Sequence, residues 1–518
     1  MEEKKSLKKA LGLVTLTSLG VGSMIGSGIF ALPAAMSVVA GPSLIFSILI
    51  AGIITTFLAI AYAELGAAFP LTGGPYSLPR LAMGDLGGFI MGWGYFIYLF
   101  IGTAAVIDIF VVYLGFYIPG LAIGERLTST GISIALIALW VFTIINILGV
   151  KWGGLYSLIT TVGKLLPLFI FGLVGLKYVT SSNFTPFFPM GFGGVTIAIT
   201  LFFWSYTGFE SIVIPSEEIT NPSRTIPLAM IMTMLITIVV YIFIACVFVG
   251  MIDWSGLHLA VGDWSGIGKL SSPLADISMG LGLPVLAAIA TVGAIIATAG
   301  AGGDWVLLQG RLPFAMAHDA LFLSSMAKVN KRFGTPAASL IFTSVLTSIV
   351  LIAIPNFPSV ALIASVAAIV PYAAAAISVP ILRRTKASTP RPFRLPFATL
   401  VTLLGFIFAT FLIYWASWPW TGVGALLILS AYPAFLFVRR KNLELKRNAW
   451  VPVYMAGIVG VSLIGDKHFS FNNFTPWSPL GILRMPYDLI VLAIFATLIY
   501  VWVYKVNVKK RETSTREV

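Results

Sequence analysis

The chain is 518 residues long, 58% hydrophobic and only 10% charged, with a mean hydropathy of +0.99. A water-soluble domain carries about 25% charged residues, so a soluble fold is excluded for want of polar surface and the chain reads as a polytopic membrane protein. Its net charge of +13 does not point to nucleic acid, because the basic residues gather at the ends of apolar stretches, in KKSLKK (4–9), RRTKASTPRPFR (383–394), RRKNLELKR (439–447) and KVNVKKR (505–511), as the positive-inside bias produces.

Apolar windows of about 20 residues are the unit that crosses a bilayer. In chain order they run over 11–38, 43–69, 86–118, 131–150, 153–179, 194–215, 226–251, 280–310, 334–354, 358–382, 399–417, 421–438, 449–465 and 486–504, which predicts fourteen spans. The first is too long, and has too many successors, for a cleavable signal peptide. With the N-terminus in the cytoplasm, the basic loops at 311–332, 383–398 and 439–447 and the tail at 505–511 all fall inside, while the loop 252–279 with Asp253, Asp263 and Asp276 faces out. FPLTGGPYSLPR (69–80) reads as an inner turn, and RLPFAMAHDALFLSSMAKVNKRF (311–333) as an interfacial helix. NFT sequons at Asn183 and Asn473 fall in outer loops and read as chance polar sequence.

The single cysteine, Cys246, excludes an intramolecular disulfide. His258, His318 and His468 lie far apart in loops without metal-ligand spacing, so neither metal nor cofactor is expected. No nucleophile, metal cluster or acidic catalytic loop suggests an enzyme.

Two windows are interrupted by small and polar residues. The first contains GVGSMIGSGIF (20–30) and the sixth LFFWSYTGFESIVIPSEE (201–218), five spans later. A phosphate-binding glycine loop is excluded, because no strand precedes the first motif and its spacing does not fit. Gly22 and Gly26 form a small-xxx-small pair, so close helix packing is one reading. The other is an unwound helix, tolerated at membrane depth only where it lines a cavity or is buried in protein. Paired interruptions in corresponding halves favour the second reading and point to a transport site. Such breaks offer free N–H groups to an anion at one half-helix start and free carbonyls to an ammonium at another half-helix end. A site with both is a receptor for a zwitterion such as an amino acid. A channel would need a continuous pore instead.

Four ionisable residues lie well inside spans: Asp108, Lys164, Glu210 and Asp304. Each costs ~2.5–3.5 kcal/mol near the bilayer centre and needs a reason to be there. Lys164 stands eleven residues from the inner end of span five, ~16 Å deep at 1.5 Å per residue, too deep to snorkel, and Lys151 and Lys177 already occupy the two ends. A desolvated lysine can exchange its proton near neutral pH. Glu210 is placed to bond the backbone amides freed by the span-six break. Asp304 either faces the pocket or pairs with Arg311, and Asp108 is either a structural partner or a member of a proton relay.

GVGSMIGSGIF, AYAELGAAFPLTGGPY (61–76), WSYTGFESIVIPSEEITNPSRTIPLAM (204–230) and GRLPFAMAHD (310–319) together resemble the amino acid–polyamine–organocation transporter superfamily. The resemblance covers spans one to ten or twelve. It implies an all-α fold with a five-plus-five inverted-repeat core over 11–382, discontinuous helices one and six, and alternating access. Helices eleven and twelve would occupy 399–438, two additional helices 449–504, and cytoplasmic segments 1–10 and 505–518.

By position, the resemblance assigns the amides of Gly26, Ser27 and Gly28, flanked by Ile25, to a substrate carboxylate. It assigns the carbonyls of Met24, Trp204 and Thr207 to the α-amino group, Thr103 to the side-chain pocket, and Trp305 to a central gate. Tyr95, Glu210 and Tyr372 match a cytoplasmic-side gate. Lys164, with Thr298 nearby, stands where sodium-coupled relatives bind their ion, which implies sodium-independent transport. The implied partners are an amino acid, protons or a counter-substrate, and the lipid bilayer of the cell membrane. A polyamine or other organic cation is the alternative substrate, and the oligomeric state stays open. The chain departs from the superfamily pattern in its two extra windows, in AHDALF after span eight, and in the acid of GGDW.

Overall fold

The computed structural model describes residues 11–124, 126–148, 153–355, 357–416, 418–438, 444–465 and 479–514. The expectations for Lys151, His468, Asn473 and segment 1–10 lie outside them.

All fourteen windows are helical. Span one is two half-helices, Leu13–Met24 and Ser27–Ala40. Spans two to five are Leu44–Ala68, Gly74–Leu114, Ser129–Leu148 and Gly153–Gly175. Span six runs Gly191–Tyr206 and resumes after its break as the short turn Phe209–Ile212. Spans seven to ten are Pro222–Gly250, Pro284–His318, Ala337–Ala353 and Phe357–Thr385. Spans eleven to fourteen are Ala398–Trp415, Trp420–Leu429 with Ala431–Val438, Trp450–Ile464 and Tyr487–Ser514. Among the described residues, twelve continuous stretches are long and apolar enough to cross a membrane; the first, Leu13–Ala68, holds spans one and two, and the shorter Ala337–Ala353 is span nine. The protein is therefore an all-α multi-pass membrane protein.

Packing among the first ten spans follows one rule: add five to each number and the same pairs return. Spans two and seven pack together, as do three and eight, and four and nine. The contacts one–seven and six–two, five–eight and ten–three, one–five and six–ten, and four–eight and nine–three exchange under the same shift. That is the contact pattern of a five-plus-five repeat.

Two boundaries differ from the sequence reading. Span three starts at Gly74, not near residue 86, because left-handed Gly73 (φ 99°) and Pro75 in the first turn launch a helix directly. The turn shrinks to 69–73, and a break at Gly84 (φ 82°) separates the new first segment from the span proper. The charges at its start satisfy one another: Arg80 pairs with Asp85 at 2.9 Å and with Asp319 at 2.6 Å. The second difference lies at 311–333. Span eight runs on to His318, Ala320 then takes φ 56°, and a short turn at Ser324–Ala327 follows, so no single interfacial helix forms.

Polar pairs stitch the last two spans to span eleven, where hydrocarbon offers no competing partner. Thr402 and Tyr500 share a hydrogen bond of 2.7 Å, Thr410 and Tyr454 one of 2.8 Å, and the Tyr414 hydroxyl donates to Asp488 at 2.7 Å. Between spans twelve and thirteen, Arg447 donates to the Ala82 carbonyl (2.7 Å) just before the Gly84 break and to Asn507 of span fourteen (2.5 Å). In the loops, Asn183 is buried and donates to the carbonyls of Gly250 and Ile252, a structural role for that sequon. Hydrogen bonds from Ser255 and Gly256 hold the Asp253 carboxyl below the usual carboxylate range.

Candidate functional site

The first half-helix of span one ends at Ile25 (φ −79°, ψ 90°), and the second starts after Gly26 (φ −132°, ψ −130°). Span six breaks at Thr207 (ψ 153°) and left-handed Gly208 (φ 108°). The two breaks lie against each other: a Cβ on Gly208 would stand 2.8 Å from the Ser23 carbonyl oxygen. One on Gly28 would run into the Ser205 side chain. Glycine is required at both points because backbone meets its neighbour directly.

Around this crossing is a small cavity of about 10 Å³, lined by Ser23, Met24, Gly26, Ser27, Gly28, Val106, Trp204, Thr207, Ala301 and Trp305. It has room for one water at most, so this conformation leaves no space for a substrate at the site. The sequence reading is brought together here for Met24, Gly26, Ser27, Gly28, Trp204, Thr207 and Trp305. Ile25 is fully buried but is not among the lining residues. Thr103 is not among them either: its hydroxyl bonds the Leu99 carbonyl at 2.8 Å, and span three presents Val106, with Gly102 against the Trp305 ring.

The hydrogen bonding at the first break is more committed than the sequence implied. The Gly26 N–H turns back to the Met24 carbonyl (3.0 Å), and the Tyr241 hydroxyl lies 2.7 Å from that same oxygen and 2.8 Å from the Ser205 carbonyl. The Trp204 carbonyl accepts from the N–H (3.1 Å) and hydroxyl (2.6 Å) of Thr207. Ser27 and Gly28 open the second half-helix, so their N–H groups have no partner within it. The Ser27 hydroxyl accepts from the Trp204 indole at 3.1 Å. The Ser23 hydroxyl is buried and has no hydrogen-bond partner among the described residues, and Ser23 is one of the residues that line the cavity.

Aromatic rings close the site. Trp305 lies 5.3 Å from Trp204 and 5.0 Å from Tyr98, centroid to centroid. Tyr98 leads to Tyr95 at 5.2 Å, whose hydroxyl donates to Glu210 at 2.9 Å. The other carboxylate oxygen of Glu210 accepts the Gly208 N–H at 3.0 Å. Tyr372 completes this second layer, 5.0 Å from Phe209 and 6.1 Å from Tyr62.

Lys164 is fully buried and donates to the Gly22 carbonyl at 2.6 Å, three residues before the first helix opens. Thr298 bonds within its own helix, to Ala294 at 2.6 Å. Asp304 lies within electrostatic range of Lys164, an arrangement neither of the two sequence readings anticipated. Asp108 is 1% exposed on span three.

Four side chains at the site escaped the sequence reading. Tyr98 sits three residues after Tyr95, on the same helical face, a signal that was available. Ser23 lies within the glycine-rich motif itself. Tyr62 and Tyr241 come from spans two and seven, and no local pattern marks them.

Comparison with known proteins agrees with this architecture. The model of the amino acid permease family matches residues 11–461. A glutamate/serine transporter, AimA, of Bacillus subtilis (strain 168) is 27% identical over 522 residues, covering 96% of this chain and 94% of the relative. An aspartate-proton symporter of the same organism is 30% identical over 516 residues, covering 97% of each. A branched-chain amino acid permease, BcaP, also from that organism, is 28% identical over 434 residues, 80% of this chain and 90% of its own. With the helix breaks, the repeat packing and a family match over most of its length, the chain belongs to the amino acid permease family.

Proposed function

We propose that this permease carries amino acids across the cytoplasmic membrane by alternating access, coupled to protons or exchanging one substrate for another, and without sodium. The observation that carries the reading is the crossing of the two breaks: helix-start amides at Ser27 and Gly28 with no hydrogen-bond partner among the described residues, and a Lys164 ammonium anchored on the Gly22 carbonyl of the preceding half-helix at 2.6 Å. The amides, with the Ser23 hydroxyl, suit a substrate carboxylate. The carbonyls of Met24, Trp204 and Thr207 suit its ammonium. Trp305 and Trp204 cover the substrate on one side, and Tyr95, Glu210 and Tyr372 seal the cytoplasmic side. Residues 11–382 form the transport core, with both termini in the cytoplasm.

Two relatives support the substrate and the coupling, one a glutamate/serine transporter and the other an aspartate-proton symporter. A polyamine has no carboxylate to use the amides of Ser27 and Gly28. Proton coupling follows from Lys164: its proton binds and leaves at the base of the first break, so the opening of span one and the protonation of the amine depend on each other.

The test has two parts. Purified protein is melted against the amino acids and common polyamines, where a binder raises the melting temperature. Proteoliposomes then take up the best binder under an imposed pH gradient, with and without sodium. The expected result is stabilisation by amino acids only, and accumulation driven by inward proton flow or counter-substrate in sodium-free buffer. Stabilisation by polyamines alone, or uptake that stops without sodium, would overturn the reading.

A further inference from the structure

The start of span three, residues 74–83, is a segment set apart from the rest of the span by the break at Gly84 (φ 82°). Its beginning lies against the end of span six: the Gly73 N–H donates to the Ile214 carbonyl at 3.3 Å, just beyond the turn Phe209–Ile212. Its middle holds the end of span eight. The Tyr76 hydroxyl donates to Asp319 at 2.9 Å, and Arg80 pairs with the same carboxylate at 2.6 Å. Span six carries one of the two breaks and span eight carries Trp305, so the segment clasps two walls of the site.

A helix that stops leaves its last carbonyls without donors of its own, and before Gly84 two donors arrive from the C-terminal part of the chain. Arg447, between spans twelve and thirteen, donates to the Ala82 carbonyl at 2.7 Å, and Asn448 beside it donates to the Met83 carbonyl at 3.4 Å. The approach is close. A Cβ on Gly84, where the backbone is left-handed, would run into the Glu444 carboxylate, and one on Gly87 would stand 2.7 Å from the Asn448 amide oxygen. Both donors are anchored in turn. Arg447 also donates to Glu444 at 3.2 Å and to Asn507 of span fourteen, and the Asn448 carbonyl accepts from Tyr432 of span twelve at 2.7 Å. Arg447, Asn448 and Asn507 are all buried.

We propose that Arg447 and Asn448 are positioning residues for the gate at this face, and that spans thirteen and fourteen set how readily the site opens there. The inference rests on the alternating-access reading above. For the site to open at this face, spans six and eight must part from residues 74–83, and the Arg80–Asp319 pair must break. A segment joined to its span through one non-helical glycine turns about that glycine, so its freedom is decided at residues 82–84. Arg447 ties that point to span fourteen through Asn507, which keeps Tyr76 and Arg80 within reach of Asp319. Loosening the tie lets the segment swing, and the clasp parts more often.

The experiment uses the full-length chain in vesicles, with Cys246→Ser and a reporter, Val106→Cys, on the wall of the site cavity. A membrane-impermeant maleimide is added to one face or the other, and the labelling rate is read beside the melting temperature. In Arg447→Met, labelling from the face of the clasp should rise several-fold, while labelling from the opposite face should not rise. Asn507→Ala keeps Arg447 but frees it, and should give a smaller rise of the same kind. Asp319→Asn breaks the clasp itself; combined with Arg447→Met it should add little, since both act on one linkage. Thr410→Val removes the bond between spans eleven and thirteen at Tyr454, touches no residue of the clasp, and should leave labelling unchanged even where melting falls. Labelling at the parent rate in Arg447→Met or in Asn507→Ala, or equal acceleration in Thr410→Val, would overturn the proposal alone. A parent chain labelled from one face only would overturn alternating access, and this proposal with it.

Discussion

The two helix breaks occupy corresponding places in the repeat but are finished with opposite charges. At the first, the half-helix end carries partial negative charge on its carbonyls, and a buried ammonium, Lys164, is held there on Gly22. At the second, the freed N–H of Gly208 is held by a buried carboxylate, Glu210. Each charge therefore complements the backbone dipole beside it. Their anchoring differs. Glu210 is clamped from two sides, by Gly208 and Tyr95, whereas Lys164 has its described hydrogen bond on one carbonyl and Asp304 within electrostatic range. On the proposed mechanism the second break acts as a latch and the first as the place where charge changes.

Lys164→Ala probes that contrast with the largest effect. Removing an ammonium from the membrane interior recovers ~2.5–3.5 kcal/mol of burial cost, and leaving the Gly22 carbonyl without its donor costs about 1–3 kcal/mol. The two nearly cancel. The variant should therefore melt close to the parent while gradient-driven accumulation falls to background in proteoliposomes. Persistent accumulation along a pH gradient would remove Lys164 from coupling.

Glu210→Ala is expected to differ in kind. It strands the Gly208 N–H and the Tyr95 hydroxyl, at about 1–3 kcal/mol, so stability and transport should fall together. Glu210→Gln keeps an acceptor for one of them and should recover part of both. If Glu210→Ala instead melted like the parent, the carboxylate would not be the latch.

Much of this was legible in the sequence, and the limits have physical causes. The interruption in GVGSMIGSGIF and the depth of Lys164 are local facts, readable from composition and from rise per residue. The start of span three was missed because hydropathy counts Arg80 and Asp85 as unfavourable, while the fold pairs them with each other. Thr103 was placed at the pocket by position, but a helix turns 100° per residue, and the facing positions are Gly102 and Val106. The occupation of the Met24 carbonyl was beyond local pattern, since Tyr241 lies 217 residues further along the chain.

Gly28→Ala sharpens the comparison on the substrate side with a smaller change. Its methyl group would run into Ser205, and overpacking of this kind costs typically about 1–3 kcal/mol. Amino acid binding should weaken strongly, because the new methyl pushes apart the two breaks that form the site. Adding Ser205→Gly should recover only part of it, since the methyl would also stand 3.0 Å from the residue 205 Cα. Full binding in the single variant would show that the breaks do not need this close approach.

Tyr241→Phe is the mildest change and addresses what the first break offers a substrate ammonium. The tyrosine has one proton to share between the Met24 and Ser205 carbonyls, which lie 2.7 and 2.8 Å away. Its loss should cost about 0.5–1.5 kcal/mol of stability. A carbonyl oxygen has two lone pairs, and in the closed form the Met24 oxygen is already approached by both Gly26 and Tyr241. An arriving ammonium must therefore displace a donor or share with one. Without the tyrosine hydroxyl there is one competitor fewer, so substrate affinity should hold or improve slightly while the protein melts lower. A loss of affinity beyond tenfold, about 1.4 kcal/mol, would mean that Tyr241 aims the carbonyl at the substrate instead of competing for it.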